Sequence, residues 1–471
     1  MKKKILLIIL LLSVAVSFTA CNQNRTTNST ATSTTITTVT TTDLFGLEDE
    51  TIYKYTYSQL GENIMPIGAW ADPPPPNFAG VYDNPDLVTD AQYALISASG
   101  INVMYGLYNN ASLNFDYVIK SLQYAENHDV VYIVRDSQVV GLFEEEDYEY
   151  LTDALDRYKD YEAFGGVMVM DEPGVQSFNN LGLLHQSFKT YLPNDAFYIN
   201  LLPTYATNNQ LINGAAGGNI SDDTFTYEEY LQRYVTQVDP KFISYDFYPL
   251  VGMEYGDLRD GYFEQMSMVR NIAYQNDIPF WVFIQSCTFS SGHLRVPNQA
   301  EVMWQVSTSL AYGAKGIQYF TYYTPMEGSG SFEGGMVDSS GNINPMYYIV
   351  QEANQHIALV DEILMNSSHK GVIVHGDSPS EVPQEDQLEQ FSILVDIIGD
   401  DALIGCFNYQ GRPAYYVVNN SFDLQDAIVS LELDETYNYS VYQGPTMNEG
   451  NGNNIELTIP TGEGVLIVIN E

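Results

Sequence analysis

The stretch GGVMVMDEPGVQSF, residues 165–178, decides how the chain is read. Val167 to Met170 are apolar without polar alternation, as in a strand covered on both faces of a parallel sheet. The run then meets Asp171 and Glu172, two like charges side by side, followed by Pro173. Acidic residues and a proline also suit the first turn of a helix, so the neighbours of the strand have to separate the two readings.

The same texture recurs on both sides. Apolar runs rich in Val, Ile, Phe and Tyr lie at 64–70, 101–108, 130–136, 166–171, 196–202, 242–248, 279–285 and 316–323. Helix-like segments lie between them, starting at Asp86, Leu113, Glu146, Thr226, Tyr262 and Asn298, and PMYYIVQEANQHIALVDEIL follows the last run. Strand and helix alternating in this way predict a (β/α)8 TIM barrel. An open doubly wound sheet is the alternative, but the first strand is not followed by a Gly-rich dinucleotide fingerprint. Beyond about Gly371, short strand-like runs separated by polar turns predict a small C-terminal β-sandwich, packed on the barrel or binding sugar.

The N-terminus carries an address. MKKKILLIILLLSVAVSFTAC has a basic start, an apolar stretch and small residues before Cys21, the pattern of a secretory signal. A cysteine directly after FTA resembles the bacterial lipoprotein cleavage box, although Phe18 stands where Leu is usual. Lipidation of Cys21 is implied, with a cleaved, freely secreted protein as the alternative. Residues 25–42 are almost entirely Thr, Ser and Asn, too polar to offset the entropy of ordering, and read as a tether. The expected organisation is a signal peptide at 1–20, lipidated Cys21 and tether at 21–50, barrel at 51–369 and sandwich at 370–471. Such a protein is lipid-anchored at the outer face of a bacterial membrane.

With 60 acidic against 18 basic residues the formal charge is −42, which repels nucleic acid and anionic membrane surfaces. Membrane contact is therefore expected only through the lipid anchor. Cys287 and Cys406 stand far apart and read as two buried thiols. No cofactor is called for, and oligomeric state is not legible.

In a TIM barrel, chemistry sits where the strands end. Those positions hold Trp70 and Asp72, Tyr108 and Asn109, Arg135 and Asp136, Asp171 and Glu172, Asn200, Asp246 and Tyr248, Gln285, and Tyr322 and Tyr323. The set is aromatic, rich in carboxylates and poor in cations, and it contains no His-x-His or Cys cluster of metal-binding type. With no His at a strand end, a Ser–His–Asp hydrolase is disfavoured. Aromatic platforms and neutral hydrogen-bonding groups suit an oligo- or polysaccharide, and paired carboxyl groups suit cleavage of its glycosidic bonds. Glu172 is the candidate acid. Strict alternation places 168, 170 and 172 on one side and Asp171 on the other; if the even set faces the barrel axis, Glu172 enters the site and Asp171 holds a neighbouring side chain or sugar group. Trp70, Asp72, Tyr108, Arg135, Asn200, Tyr248, Gln285 and Tyr322 are the candidate substrate ligands.

Over residues 62–367 the chain resembles the (β/α)8 glycoside hydrolases that include the family 42 β-galactosidases. The likeness rests on GGVMVMDEPG, FISYDFYPL, PFWVFIQS and LAYGAKGIQYFTYYTP. It implies an acid/base at Glu172 and a nucleophilic Glu at the end of strand seven, where this chain has Gln285. An amide cannot be that nucleophile. The Asp171–Glu172 pair is similar to that of barrel hexosaminidases using substrate assistance, in which the Asp orients an acetamido group that attacks the anomeric carbon. Tyr248 would bond that group's oxygen. Asp246 as nucleophile or base is another solution, and the same residues would serve a transglycosylase. A catalytically dead sugar-binding barrel is the rival from another class.

Overall fold

The computed structural model describes residues 45–48, 50–78, 83–145, 150–219, 223–252, 256–289, 293–325, 332–422 and 425–470. The signal segment, Cys21 and the Thr-rich run lie outside the described residues. Eight parallel strands close a barrel in chain order. They are β1 (Ile67–Ala69), β2 (Val103–Asn110), β3 (Val131–Arg135), β4 (Phe164–Asp171), β5 (Ala196–Leu201), β6 (Ile243–Asp246), β7 (Phe280–Gln285) and β8 (Ile317–Phe320). The last pairs back onto the first, Ile317 beside Ile67. These strands are buried on both faces, all six residues of β7 among them, which is why their sequences do not alternate.

The helices are α1 (Asp90–Ala98), α2 (Phe115–Asn127), α3 (Ser137–Glu145), α4 (Leu151–Leu155), α5 (Val175–Tyr191), α6 (Asn208–Asn213), α7 (Tyr227–Val238), α8 (Tyr262–Gln275), α9 (Gln299–Ala311) and α10 (Pro345–Met365). The first residues of the helix expected from Glu146, 146–149, lie outside the described residues; beyond them only the short α4 forms, and α3 precedes it as a helix that was not expected. Thr226 and Asn298 each close a capping box with a Glu three residues on, which fixes where α7 and α9 begin.

The C-terminal strands are β9 (Ser368–His375), β10 (Leu394–Gly399), β11 (Ala402–Tyr409), β12 (Arg412–Asn419), β13 (Ala427–Gln443), β14 (Thr446–Ile459) and β15 (Gly464–Asn470). They form a β-sandwich from one antiparallel sheet, with strand order 9-11-12-15-13-10 and β14 on β13. Strand β13 runs unbroken from Ala427 to Gln443, with a register shift between Glu432 and Tyr437. Alternation sorts the sheet's two faces. Leu403, Phe407, Tyr416, Val418, Leu466 and Val468 pack into the barrel's core. Ile404, Cys406, Tyr415, Val417, Val465 and Ile467 build a second core inside the sandwich. Both faces are apolar because both are covered.

Helix α9 lies between barrel and sheet, and every residue from Glu301 to Ala311 is buried. Trp304 Nε1 donates to Asn420 Oδ1 at 2.9 Å across this junction. A Cβ on Gly405 would stand 2.2 Å from the Ala311 carbonyl oxygen, so only glycine lets sheet and helix approach this closely. Residues 45–48 and Glu50, assigned above to the tether, lie along the sandwich instead. Phe45 sits in the second core, its ring 5.8 Å from Tyr437, and Asn408 Nδ2 donates to the Glu48 carbonyl at 2.6 Å. Cys287 and Cys406 are buried free thiols, as expected. Among the described residues, no helix is long and apolar enough to cross a membrane.

Candidate active site

Strand β4 carries two extra residues. Tyr132 faces Phe164 while Ile133 faces Gly166, leaving Gly165 over; Met168 faces Tyr198 while Met170 faces Ile199, leaving Val169 over. Gly166 has φ +139°, and a Cβ there would lie 2.1 Å from the Ala196 carbonyl oxygen, so the first irregularity needs glycine. Each extra residue exchanges the two faces of the strand. Asp171 is thereby paired with Asn200, two residues on from Tyr198, and shares the inward face with both. This corrects the expectation from strict alternation, in which Asp171 pointed away from the axis.

Glu172 then leaves the strand in the left-handed region, at φ +47°. Its N–H donates to the Asn200 carbonyl at 2.8 Å, and its own carbonyl accepts from Ala215 N–H at 3.0 Å. The turn keeps the Glu172 carboxyl at the barrel mouth, where its charge acts on Asp246 and Tyr205. Helix α5 begins only at Val175, after an N-cap at Gly174. The DEP triplet is thus the end of a strand and a turn, outside the first turn of α5.

A hydrogen-bonded chain inside the barrel supports Asp171 from below. Tyr105 and Tyr198 hydroxyls both donate to Gln318 Oε1 at 2.6 Å, and Gln318 Nε2 donates to Ser244 Oγ at 2.9 Å. Ser244 Oγ donates to Asn200 Oδ1 at 3.0 Å, and Asn200 Nδ2 reaches Asp171 Oδ1 at 3.3 Å. Trp70 packs beside this layer, its ring 5.8 Å from Tyr105 and 5.9 Å from Phe283.

Three carboxyl groups meet here. Asp171 reaches water, yet the protein packed around it on the barrel side strips enough hydration to raise its pKa to about 6, against the hydrogen bond from Asn200 and the charge of Arg135. Glu172 is raised to about 7, first by burial and then by the charge on Asp171. Asp246 is held well above the usual carboxylate range by burial, then by the charges of Glu172 and Asp171. Its Oδ1 is buried without a hydrogen-bond partner, while the Tyr248 hydroxyl bonds the carboxyl. Near neutrality Asp171 is thus the ionised member and Glu172 is partly protonated. No side chain among the described residues hydrogen-bonds the Glu172 carboxyl, which leaves it free to meet a ligand.

Several expected ligands are instead structural. Gln285 is 1% exposed and its amide is fully used: Oε1 accepts from Leu250 N–H at 3.0 Å, and Nε2 donates to the carbonyls of Leu250 at 3.1 Å and Arg295 at 2.8 Å. It clamps the loops after β6 and β7. Asp72 is fully buried and accepts four bonds, from the N–H groups of Leu107 and Tyr108 at 2.8 Å and from Asn109 Nδ2 and Tyr132 OH at 2.6 Å. Tyr322 points outward and donates to Gln92 Oε1 at 2.8 Å. Tyr108 is buried edge-on against Phe78 and Tyr323. Arg135 donates to the Leu107 carbonyl at 2.9 Å and stays near enough to lower the pKa of Asp171.

Tyr205 was not foreseen. It is 41% exposed on the loop after β5, stacks under the Arg259 guanidinium at 3.8 Å, and feels the charges of Asp246 and Glu172. Phe320, 5.6 Å from Tyr248, adds a second partly exposed ring. Tyr205 lies in a loop and has no periodic signal, and Phe320 is one apolar residue in an apolar strand, so neither was legible as a site residue.

Residues 219–360 match the glycoside hydrolase 42 family model, described as beta-galactosidase. The matched segment carries Asp246, Tyr248 and Gln285 and stops short of Asp171 and Glu172. It supports an O-glycosyl hydrolase, and the expected resemblance to (β/α)8 glycoside hydrolases holds. Among solved structures, the α-amylase from Geobacillus thermoleovorans complexed with acarbose is similar at 10% identity and a TM-score of 0.51, covering 88% of this chain and 99% of that one. That likeness is one of fold. A family 5 glycoside hydrolase from Bacteroides vulgatus aligns at 13% identity and a TM-score of 0.49, over 86% of this chain and 90% of that one. A β-galactosidase from the psychrophilic Marinomonas ef1 aligns at 11% identity and a TM-score of 0.47, over 65% and 63%. No curated protein matches the chain.

Proposed function

We propose that the protein is a glycoside hydrolase in which Glu172 is the general acid/base and Asp171 its ionised partner, acting on glycans outside the cell. The observation that carries this reading is the β4 bulge, which turns Asp171 into the mouth beside Glu172. Glu172 passes its proton to the glycosidic oxygen as the bond from that oxygen to the anomeric carbon breaks. Asp171 accepts a hydrogen bond from the N–H of a 2-acetamido group, whose oxygen closes on the anomeric carbon. Water then reopens the ring formed, and Glu172 takes the water's proton. This scheme asks for no carboxylate at the end of β7, in keeping with an amide there that is spent on loop backbone. Asp246, bonded by Tyr248 and held above the usual carboxylate range by burial, shapes the site without being its nucleophile.

The rival is a sugar-binding protein without turnover, for which Gln285 in place of the family's nucleophile speaks. A panel of aryl glycosides with and without a 2-acetamido group separates these readings. Release of the aryl group from acetamido sugars alone supports assistance. Release from plain galactosides or glucosides removes it, and release from none leaves the binding protein. The lipoprotein-like box further supports anchoring through Cys21. Cys21→Ser should free the protein into the medium, and a variant that stays with the cells would count against a lipid.

A further inference from the structure

We propose that Glu352, His356 and Glu463 form a divalent-cation site joining the last barrel helix to the sandwich. Glu352 and His356 are one turn apart on α10 and so lie on the same face. Glu463 comes from the turn before β15, where its N–H donates to the Pro460 carbonyl at 3.0 Å and its carbonyl accepts from Asn419 at 3.0 Å. Both fix the turn within the sandwich. One ligand atom from each residue falls within 4.8 Å of the others.

These side chains are drawn together without satisfying one another. His356 Nδ1 stands 3.9 Å from Glu463 Oε2, too far for a hydrogen bond, and both side chains are only 13% exposed. Among the described residues, none of the three side chains has a hydrogen-bond partner or a Lys or Arg nearby to balance it. The other charged group acting on Glu463 is Asp426, which is again acidic. Two carboxylates and an imidazole left unpaired at a domain junction are costly to bury. A cation at their centre converts that repulsion into a bond between α10 and the turn.

The donor set indicates which ion. One imidazole nitrogen and two carboxylate oxygens suit Zn²⁺, with water completing the shell. Neighbouring ligands around tetrahedral zinc stand roughly 3.4 Å apart, so side-chain rotation suffices to close the site. A hollow of about 410 Å³ bordered by Tyr348, Gln351, Gln355 and Pro445 adjoins Glu352 and His356.

The test is zinc titration of the full-length protein after chelation and dialysis, followed by calorimetry and by thermal melts. The wild type should bind one Zn²⁺ that His356→Ala and Glu463→Gln lose, or hold at least tenfold more weakly. Glu463→Gln should melt higher than the wild type without metal, where it relieves repulsion, and lower than the wild type with Zn²⁺. Equal zinc affinity and stoichiometry in wild type and both variants would overturn the proposal. So would a Glu463→Gln protein that melts as high as the wild type in Zn²⁺. If His356→Ala does not fold, Glu352→Gln takes its place in the same comparison.

Discussion

Replacing Asp171 by Asn tests how the two adjacent carboxyls divide their work. In the wild type, activity needs Asp171 ionised and Glu172 protonated, and these groups lie at about 6 and about 7. The pH profile of kcat/KM should therefore be a narrow bell with limbs near those values, each belonging to the coupled pair. The amide of the Asp171→Asn variant does not titrate, so the acid limb should disappear. The alkaline limb should move as well. Glu172 rises from 4.5 to about 7 mainly through burial and secondarily through the charge of Asp171, so the charge supplies less than half of that rise. Removing it should lower the alkaline limb by no more than about one pH unit. The assay is initial rates on an aryl glycoside across pH 4 to 9 for both proteins. An acid limb that survives in Asp171→Asn, or an alkaline limb that moves up, would refute the assignment; survival would transfer the ionised role to Asp246.

Gln285→Glu should not create a family-type nucleophile. The new carboxylate would face the carbonyls of Leu250 and Arg295 with no hydrogen to offer either, at a cost of about 3 kcal/mol, so denaturant melts should show a clear loss and activity no gain. Stability should also fall as pH rises. Glu172, Asp171 and Asp246 all titrate higher folded than unfolded, so the native state holds extra protons from about pH 4.5 upward and loses that stabilisation as it ionises through about 6 to 7 and beyond. The Tm should accordingly be higher at pH 5 than at pH 8, and Asp246→Asn should flatten the difference. A slope unchanged by that variant would assign the effect to the −42 charge as a whole.

The barrel was legible because strands buried on both faces and capped amphipathic helices leave periodic marks, and each of the eight runs became a strand. The direction of side chains at strand ends was not, because it depends on register. Val169 is an apolar residue in an apolar run, and nothing in its identity marks it as the extra one that turns Asp171 inward. Gly165 and Gly166 were the visible sign that β4 is irregular. Asp72, Gln285 and Tyr322 stood at the expected positions, yet their polar atoms are taken by backbone groups and by the side chains of Asn109, Tyr132 and Gln92, partners that come together only on folding. Phe45 was hidden by a polar neighbourhood, although a lone aromatic after a Thr-rich run marks where a core begins.

The central claim is that Glu172 supplies the proton that breaks a glycosidic bond. It is tested most directly by Glu172→Gln, measuring turnover of an aryl glycoside and binding of the same glycan on one preparation. Removing a general acid should lower kcat by roughly 10²- to 10⁴-fold and leave binding in place. A variant that turns over as fast as the wild type, or a wild type that binds the glycan and never cleaves it, would contradict the account.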